Sequence, residues 1–287
     1  MNRTITIDEL PRYSPWPARL LGLADFDARE KTAANVLREY NEDKWGAMLR
    51  LFDQHAINSV EDLEALVEDS AAELACLIGG KLRLMGLVEA HRLYFEAVAS
   101  RLAVFADASA LVEFGCGYGA MLLRLARDPA FRHLPIIGTE FAPNGVKVFG
   151  QLAARSGLKC QAGACDLTQN PITPIAVPPG ALLCTVMALP YIPTLDVGLF
   201  KALAALRPAV VCHIEPVPEF ADETSMLGLL TRRYAPFNRY ATGIMDTLRR
   251  AEADGVLEII ATEPAIFGMN PLLPVSFIAW RPRAVAA

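Results

Sequence analysis

Leu111-Val112-Glu113-Phe114-Gly115-Cys116-Gly117-Tyr118-Gly119-Ala120 is the stretch from which the fold is read. Its apolar start predicts a short buried strand, Ala110–Phe114, and Ala120–Arg127 predicts a helix. Glycines fill the turn between them, where the backbone bends tightly and lets a ligand approach closely. Outward from this turn the alternation recurs. Pro135–Glu140 predicts a strand, Pro143–Ser156 a helix and Leu158–Ala164 a strand. Ala181–Ala188 predicts a buried strand, Leu195–Leu206 a helix and Ala209–Ile214 another strand. Ser225–Asp254 reads as a helix interrupted at Pro236, followed by two strands, Leu257–Ala265 and Val275–Trp280, with no helix between them. Apolar strands alternating with helices predict a parallel sheet covered on both faces. The last two strands must pair antiparallel, because a parallel pair needs a crossover of about a dozen residues or more.

Upstream of Ala108 the spacing is helical. Asp27–Phe52 places Ala34, Leu37, Trp45, Met48 and Leu51 along one stripe, and Val60–Ile78 does the same with Leu63, Leu66, Val67, Leu74 and Ile78. Gly79-Gly80 interrupts the pattern, and Leu82–Phe105 reads as a third long helix. The expectation is an all-helical lobe over residues 1–105, ahead of a sheet domain over 106–287.

The chain has 287 residues, 53% apolar and 21% charged, a balance that excludes a mainly disordered or fibrous protein. Lys and Arg number 27 against 32 Asp and Glu, a net charge of −5. That argues against a cationic surface for tracking phosphate backbones, so no nucleic-acid partner is expected. The six cysteines form no C-x-x-C pair and predict free thiols in a reducing cytoplasm. The opening MNRTITIDELPRYSPWP has no apolar core of a signal peptide. Leu167–Leu195 is uncharged, but Pro171, Pro174, Pro178, Pro179, Pro190 and Pro193 would break a spanning helix repeatedly. It reads as loop plus buried strand. A cytoplasmic protein with no membrane partner is expected.

Two ligand classes compete for the glycine turn. Gly115-x-Gly117-x-x-Ala120 satisfies the dinucleotide fingerprint, and Glu140 at the end of the next strand suits ribose hydroxyls in either class. Glu113 weighs against a pyrophosphate, which it would repel, and for a sulfonium or ammonium, which it would attract. Asp166 follows the third strand, where an adenine amino group could be bound. The acids after successive strands should converge on the crevice at the strands' carboxyl ends.

With its acid and G-x-G-x-G at Glu113–Gly119, Gly138-Thr139-Glu140 and Ala164-Cys165-Asp166, residues 105–283 resemble the class I S-adenosylmethionine-dependent methyltransferases. The resemblance implies an α/β, Rossmann-like, seven-stranded, mostly parallel sheet with an antiparallel last strand, here with the N-terminal all-helical lid lobe. It implies S-adenosylmethionine as cofactor. Glu113 and the backbone of Gly115, Cys116, Gly117 and Gly119 would hold the methionine end. Glu140 would take the ribose, and Asp166 with Cys165 the adenine, with Met187 also at the cofactor.

The acceptor side is less defined. Met187-Ala188-Leu189-Pro190-Tyr191 lacks the aspartate-proline-proline-tyrosine type motif of amino-directed methyltransferases. Tyr191 is a candidate catalytic-site residue, giving an aromatic face near a sulfonium, or a loop-packing residue. His213 and Glu215 share one face of their strand. His213 is a candidate general base and Glu215 its orienting group or an amine binder; both could equally make structural hydrogen bonds. The pair lacks a third metal ligand, so no metal is expected. Arg239 and Tyr240, in an Arg- and Tyr-rich segment, are candidate acceptor contacts, against a solvated helix face. Tyr40 and Trp45 are candidate lid residues that exclude water, with Trp45 as a core anchor the competing reading. Tyr13-Ser14-Pro15-Trp16-Pro17 is a candidate lid or homodimer contact. The expected activity is O- or N-methylation of a small molecule. The alternatives are cyclisation of the cofactor by its own amine, and a non-catalytic scaffold.

Overall fold

The computed structural model describes residues 2–69, 71–169, 172 and 176–283. Its first strands lie apart from the main sheet. β1 (Arg3–Thr4), β2 (Glu73–Ile78) and β3 (Lys81–Gly86) form an antiparallel sheet in the order β1-β3-β2. This corrects the all-helical N-terminal lobe. Gly79 and Gly80 both adopt left-handed backbone, with φ of +54° and +73°, the requirement of a two-residue hairpin turn. The pattern read as helix through Ile78 is helix only to Val67, and the helix expected from Leu82 begins at Leu87. In β3, Leu82 and Leu84 are buried while Lys81 is exposed, a strand alternation.

The helices of this region are α1 (Trp16–Leu20), α2 (Ala33–Val36), α3 (Gly46–Gln54), α4 (Val60–Val67) and α5 (Leu87–Leu102). A π-helical segment, Leu37–Trp45, joins α2 to α3, and Gly46 N–H reaches back to Asn41 C=O. The same carbonyl accepts from Asn144 Nδ2 at 2.9 Å, while Asn41 Oδ1 accepts from Asn144 N–H at 2.8 Å. The π segment is thereby tied to the main domain, with Trp45 held against Gly117 and Tyr40 beside Trp45.

The main sheet comprises β4 (Leu111–Phe114), β5 (Ile136–Glu140), β6 (Cys160–Ala164), β7 (Leu182–Val186), β8 (Val210–Pro216), β9 (Leu257–Phe267) and β10 (Val275–Pro282). Their order is β6-β5-β4-β7-β8-β10-β9. The strands from β4 to β8 pair parallel, and β10 pairs antiparallel with both β8 and β9. The expected strands agree with these to a residue or two, the usual uncertainty of element ends, but the break expected at Pro236 falls at 238–243, Pro236 lying inside the helix that ends at Phe237. α6 (Ala120–Leu125), α7 (Pro143–Arg155), α8 (Val197–Ala205), α9 (Met226–Phe237) and α10 (Ile244–Ala253) cover the sheet. Leu111, Cys184 and Ile214 belong to the core under α5–α7, and Val112, Leu183 and Val211 to the core under α8 and α10. Strand order reverses between β4 and β7, and the crevice at their carboxyl ends is where an open α/β sheet binds ligands. Pro171 and Pro174 of the uncharged stretch lie outside the described residues. Among the described residues, no helix is long and apolar enough to cross a membrane.

Candidate active site

The turn after β4 is built for close approach. Gly115, Gly117 and Gly119 all take left-handed φ, at +72°, +58° and +84°. A Cβ on Gly115 would lie 2.5 Å from Ala188 Cβ, and one on Gly119 would collide with the Phe149 ring. Gly115 and Cys116 donate their N–H groups to Thr139 C=O, at 2.8 and 2.9 Å. Glu140 then locks the turn: its carboxylate accepts from Gly117 N–H and from Ala142 N–H, each at 2.9 Å. Burial raises the Glu140 carboxyl, and those amides partly hold it down. Tyr118 is pinned from the other side by its hydroxyl bond to Glu64 Oε1 at 3.0 Å. Arg124 also binds that oxygen at 3.0 Å, and burial, which alone would raise Glu64, is outweighed by His91 and Arg124, which hold it down to about 2.

Beside this turn lies a cavity of about 370 Å³. Glu113, Gly115, Cys116, Gly117, Glu140, Cys165, Asp166, Met187 and Tyr191 line it, as do Tyr40 and Trp45 from the π segment. Glu113 is 2% exposed, and its Oε2 has no hydrogen-bond partner. Burial, reinforced by the charges of Glu140 and Glu215, pushes its carboxyl up to about 8. Tyr94, from α5, lines the same wall with a buried, unpartnered hydroxyl, and the indole N–H of Trp45 is likewise unpartnered. Aromatic rings form the rim. Tyr40 meets Tyr191 edge-on at 5.0 Å, Tyr191 meets Tyr240 at 5.3 Å, and Trp45 leans on Tyr118 at 5.3 Å. Lys31 sits over Tyr191 and Tyr240 and pairs with Glu39 at 3.3 Å.

Neither a family model nor a curated relative matches the sequence. Among solved structures, magnesium protoporphyrin IX methyltransferase from Synechocystis PCC 6803, with bound S-adenosylhomocysteine, superposes with a TM-score of 0.52 at 11% identity, covering 88% of this chain and 100% of that one. The chain has the class I methyltransferase fold. Mitomycin 7-O-methyltransferase (TM-score 0.46, 17% identity, 69% of this chain and 58% of that one) is a further neighbour. So is the [4+2]-cyclase SpnF (0.46, 16%, 66% and 82%).

Within this methyltransferase fold the expected residues separate into two sets. Most of the cofactor set lines the cavity, but Gly119 does not; its role is the packing of the turn against Phe149. Asp166 lines the cavity while accepting from Thr168 N–H, Thr168 hydroxyl and Gln169 Nε2 at 2.9, 2.6 and 3.2 Å. Its carboxylate shapes its own loop.

The expected base is corrected. His213 is fully buried and is not on the cavity wall. Its Nε2 accepts from the Trp280 indole N–H at 2.9 Å, so Nδ1 carries the proton toward Thr185 Oγ1, also at 2.9 Å. Burial pushes the imidazole down to about 3, leaving it neutral. Glu215 makes no direct hydrogen bond to it. It accepts from Ala188 N–H at 3.0 Å and so fixes the loop in which Met187 takes a left-handed φ of +55°. Burial pushes Glu215 up to about 7, against the pull of the Ala188 amide.

Arg239 and Tyr240 are also off the wall. Arg239 is exposed and pairs with Glu30 at 3.4 Å, and Tyr240 braces Tyr191 from behind. Sequence reasoning missed Tyr94, Phe141, Ile192 and Thr168 on the wall. Phe141 follows Glu140, Ile192 follows Tyr191 and Thr168 lies two residues past Asp166, so only Tyr94 sits away from a segment already singled out. Glu64, Glu68 and His91 come together with metal-ligand spacing, but Arg124 already neutralises Glu64.

Proposed function

We propose that the chain binds S-adenosylmethionine in this cavity and methylates an oxygen or nitrogen of a small molecule. The observation that carries the reading is the unpartnered, buried oxygen of Glu113 on the wall of a cavity that the glycine-rich turn Gly115–Gly119 borders. A buried carboxylate with a free oxygen calls for a cation and disfavours a pyrophosphate. Glu113 and the Gly115–Gly119 backbone would hold the methionine end, Glu140 the ribose, and Cys165, Asp166 and Met187 the rest of the cofactor. When bound, the cofactor supplies a methyl group on a sulfonium, open to in-line displacement.

The chain's own contribution is position and exclusion of water. Aligning two reactants can be worth roughly 7–11 kcal/mol, which frees such a site from needing an obvious base. Tyr40, Trp45 and Tyr191 present aromatic faces that favour positive charge and close the rim. Among the described residues no histidine lines the cavity, so an acceptor proton would leave through Tyr191 or solvent.

A second reading is favoured by the size of the cavity. About 370 Å³ is near the low end of the roughly 300–1,000 Å³ typical of small-molecule pockets, and the expected acceptor contacts lie outside it. The cofactor's own amine could then be the nucleophile, forming a C–N bond as the C–S bond breaks, with loss of the amine proton and release of methylthioadenosine.

Calorimetric titration with S-adenosylmethionine, followed by mass spectrometry without an acceptor, tests both. Binding with the cofactor intact supports methyl transfer. Methylthioadenosine with a cyclic amino acid supports the second reading. Absence of binding overturns both and favours a scaffold.

A further inference from the structure

Three buried oxygens have no partner: Glu113 Oε2 and Glu215 Oε2, toward the carboxyl ends of β4 and β8, and the Tyr94 hydroxyl. They come from β4, β8 and α5. Tyr94 and Glu113 share the cavity wall, and Glu215 bonds Ala188, another wall residue. Such groups are hydrogen-bonded in nearly all native interiors, so unpartnered ones mark where something else binds. They also feel one another: the charges of Glu215 and Glu113 raise the Tyr94 phenol, and Glu215 raises Glu113. The other titratable groups facing them are Glu140 on β5, Cys116 after β4, Cys184 on β7 and Cys212 on β8. Among the described residues, no Lys, Arg or His is paired with Glu113 or Glu215.

An alkylammonium has three N–H donors and one positive charge, which suits three free oxygens, two of them acidic. We infer that Tyr94 and Glu215 complete, with Glu113, a receptor for a single ammonium group, which enters in exchange for a proton. The inference rests on the cofactor reading above, in which that group is the α-ammonium of S-adenosylmethionine. Without the cation, two buried acids that feel each other's charge cannot both ionise easily, and the pair retains a proton. When the ammonium arrives, one carboxyl O–H bond breaks, its proton passes to the buffer, and both carboxylates accept from the ligand.

The test is calorimetry at pH 7 in two buffers of different ionisation heat, with S-adenosylmethionine and with methylthioadenosine, which lacks the amino acid. The wild type should release protons with the first ligand and none with the second. Tyr94→Phe keeps the ring contact with Phe267, and Glu215→Gln keeps an oxygen for Ala188 N–H. Each should weaken S-adenosylmethionine by about tenfold or more, the scale of a hydrogen bond to a charged group, and leave methylthioadenosine nearly unchanged. Equal losses for both ligands, no loss for either, or no proton release by the wild type would overturn the receptor while sparing the cofactor reading. A wild type that binds neither nucleoside overturns the cofactor reading and the receptor with it.

Discussion

Replacing His213 with Phe should make the stability of the protein less dependent on pH, and by a calculable amount. The imidazole is sealed between Thr185 and Trp280, with Phe200 edge-on at 5.7 Å. Phe roughly fills the space but leaves the Trp280 indole N–H without an acceptor, at a cost of about 1–3 kcal/mol at pH 7. Burial holds the folded pKa down to about 3, against roughly 6.5 in the unfolded chain. As pH falls below 6.5, the unfolded state takes up a proton that the folded state refuses. The stability present above 6.5 is therefore lost progressively toward pH 3. Between pH 7 and pH 5, linkage puts that loss at about 2 kcal/mol for the wild type. The variant has nothing to titrate there. Glu113 and Glu215, with raised values, act in the opposite sense, but they are common to both proteins and cancel in the difference. Urea unfolding of both proteins at pH 7, 6 and 5 should show the gap narrowing by about 2 kcal/mol. A constant gap would mean that His213 titrates alike in both states and reaches solvent. That would refute the buried assignment and return His213 to candidacy as a base.

Gly115→Ala forces a left-handed Ala at about 1–2 kcal/mol and a clash with Ala188 at about 1–3 kcal/mol; calorimetry should find cofactor binding lost while circular dichroism stays folded. Glu140→Gln turns an amide NH₂ toward one of the two backbone donors at Gly117 and Ala142, and should weaken S-adenosylmethionine by about tenfold or more in the same titration. Glu64→Gln removes one of the two carboxylates that hold the half-buried Arg124 and leaves it Glu61 at 3.2 Å, a change of about 2 kcal/mol, the scale of a hydrogen bond to a charged group, and should lower Tm by roughly 4 °C by calorimetry. The carboxyl of Glu64 is held down to about 2, so the wild-type advantage is present above about pH 4.5 and is lost as pH falls toward 2.

The main sheet was legible because its parallel strands are buried on both faces. Leu111–Phe114, Leu182–Val186 and Val210–Pro216 therefore read as apolar runs bounded by turn residues. The antiparallel final pair followed from the absence of a crossover. The N-terminal hairpin was lost to an ambiguity of pattern. Glu73–Ile78 continues the apolar spacing of α4 well enough to pass as the same helix, and Gly79-Gly80 then looks like a break. Read as the paired positive-φ residues of a two-residue turn, those glycines would have separated two strands.

The candidate site divides by the same logic, because a motif can name a residue type but not the side of the sheet on which it lands. Glu113 and His213 both look like polar residues at strand ends. The partners of Glu113 on the sheet, Leu111 and Cys184, face the core under α5, where Tyr94 stands. His213 alternates with Cys212 and Ile214 of that core, and so points with Val211 toward α8 and Trp280. A side chain displaced to the far face cannot reach a ligand at the crevice unless it sits beyond the last ladder bond. Glu215 lies past the last pair of β8 with β7, Val186 with Ile214, while still paired with Ser276 of β10, and its carboxylate reaches over to the Met187–Ala188 loop. The residue read as a partner for a base thus fixes a loop of the cavity wall, while the expected base faces Thr185 and Trp280. Tyr94 had no comparable signal: one Tyr in a helix carries no mark of what its hydroxyl faces, and only the packing of α5 across β4 and β9 puts it beside two acids.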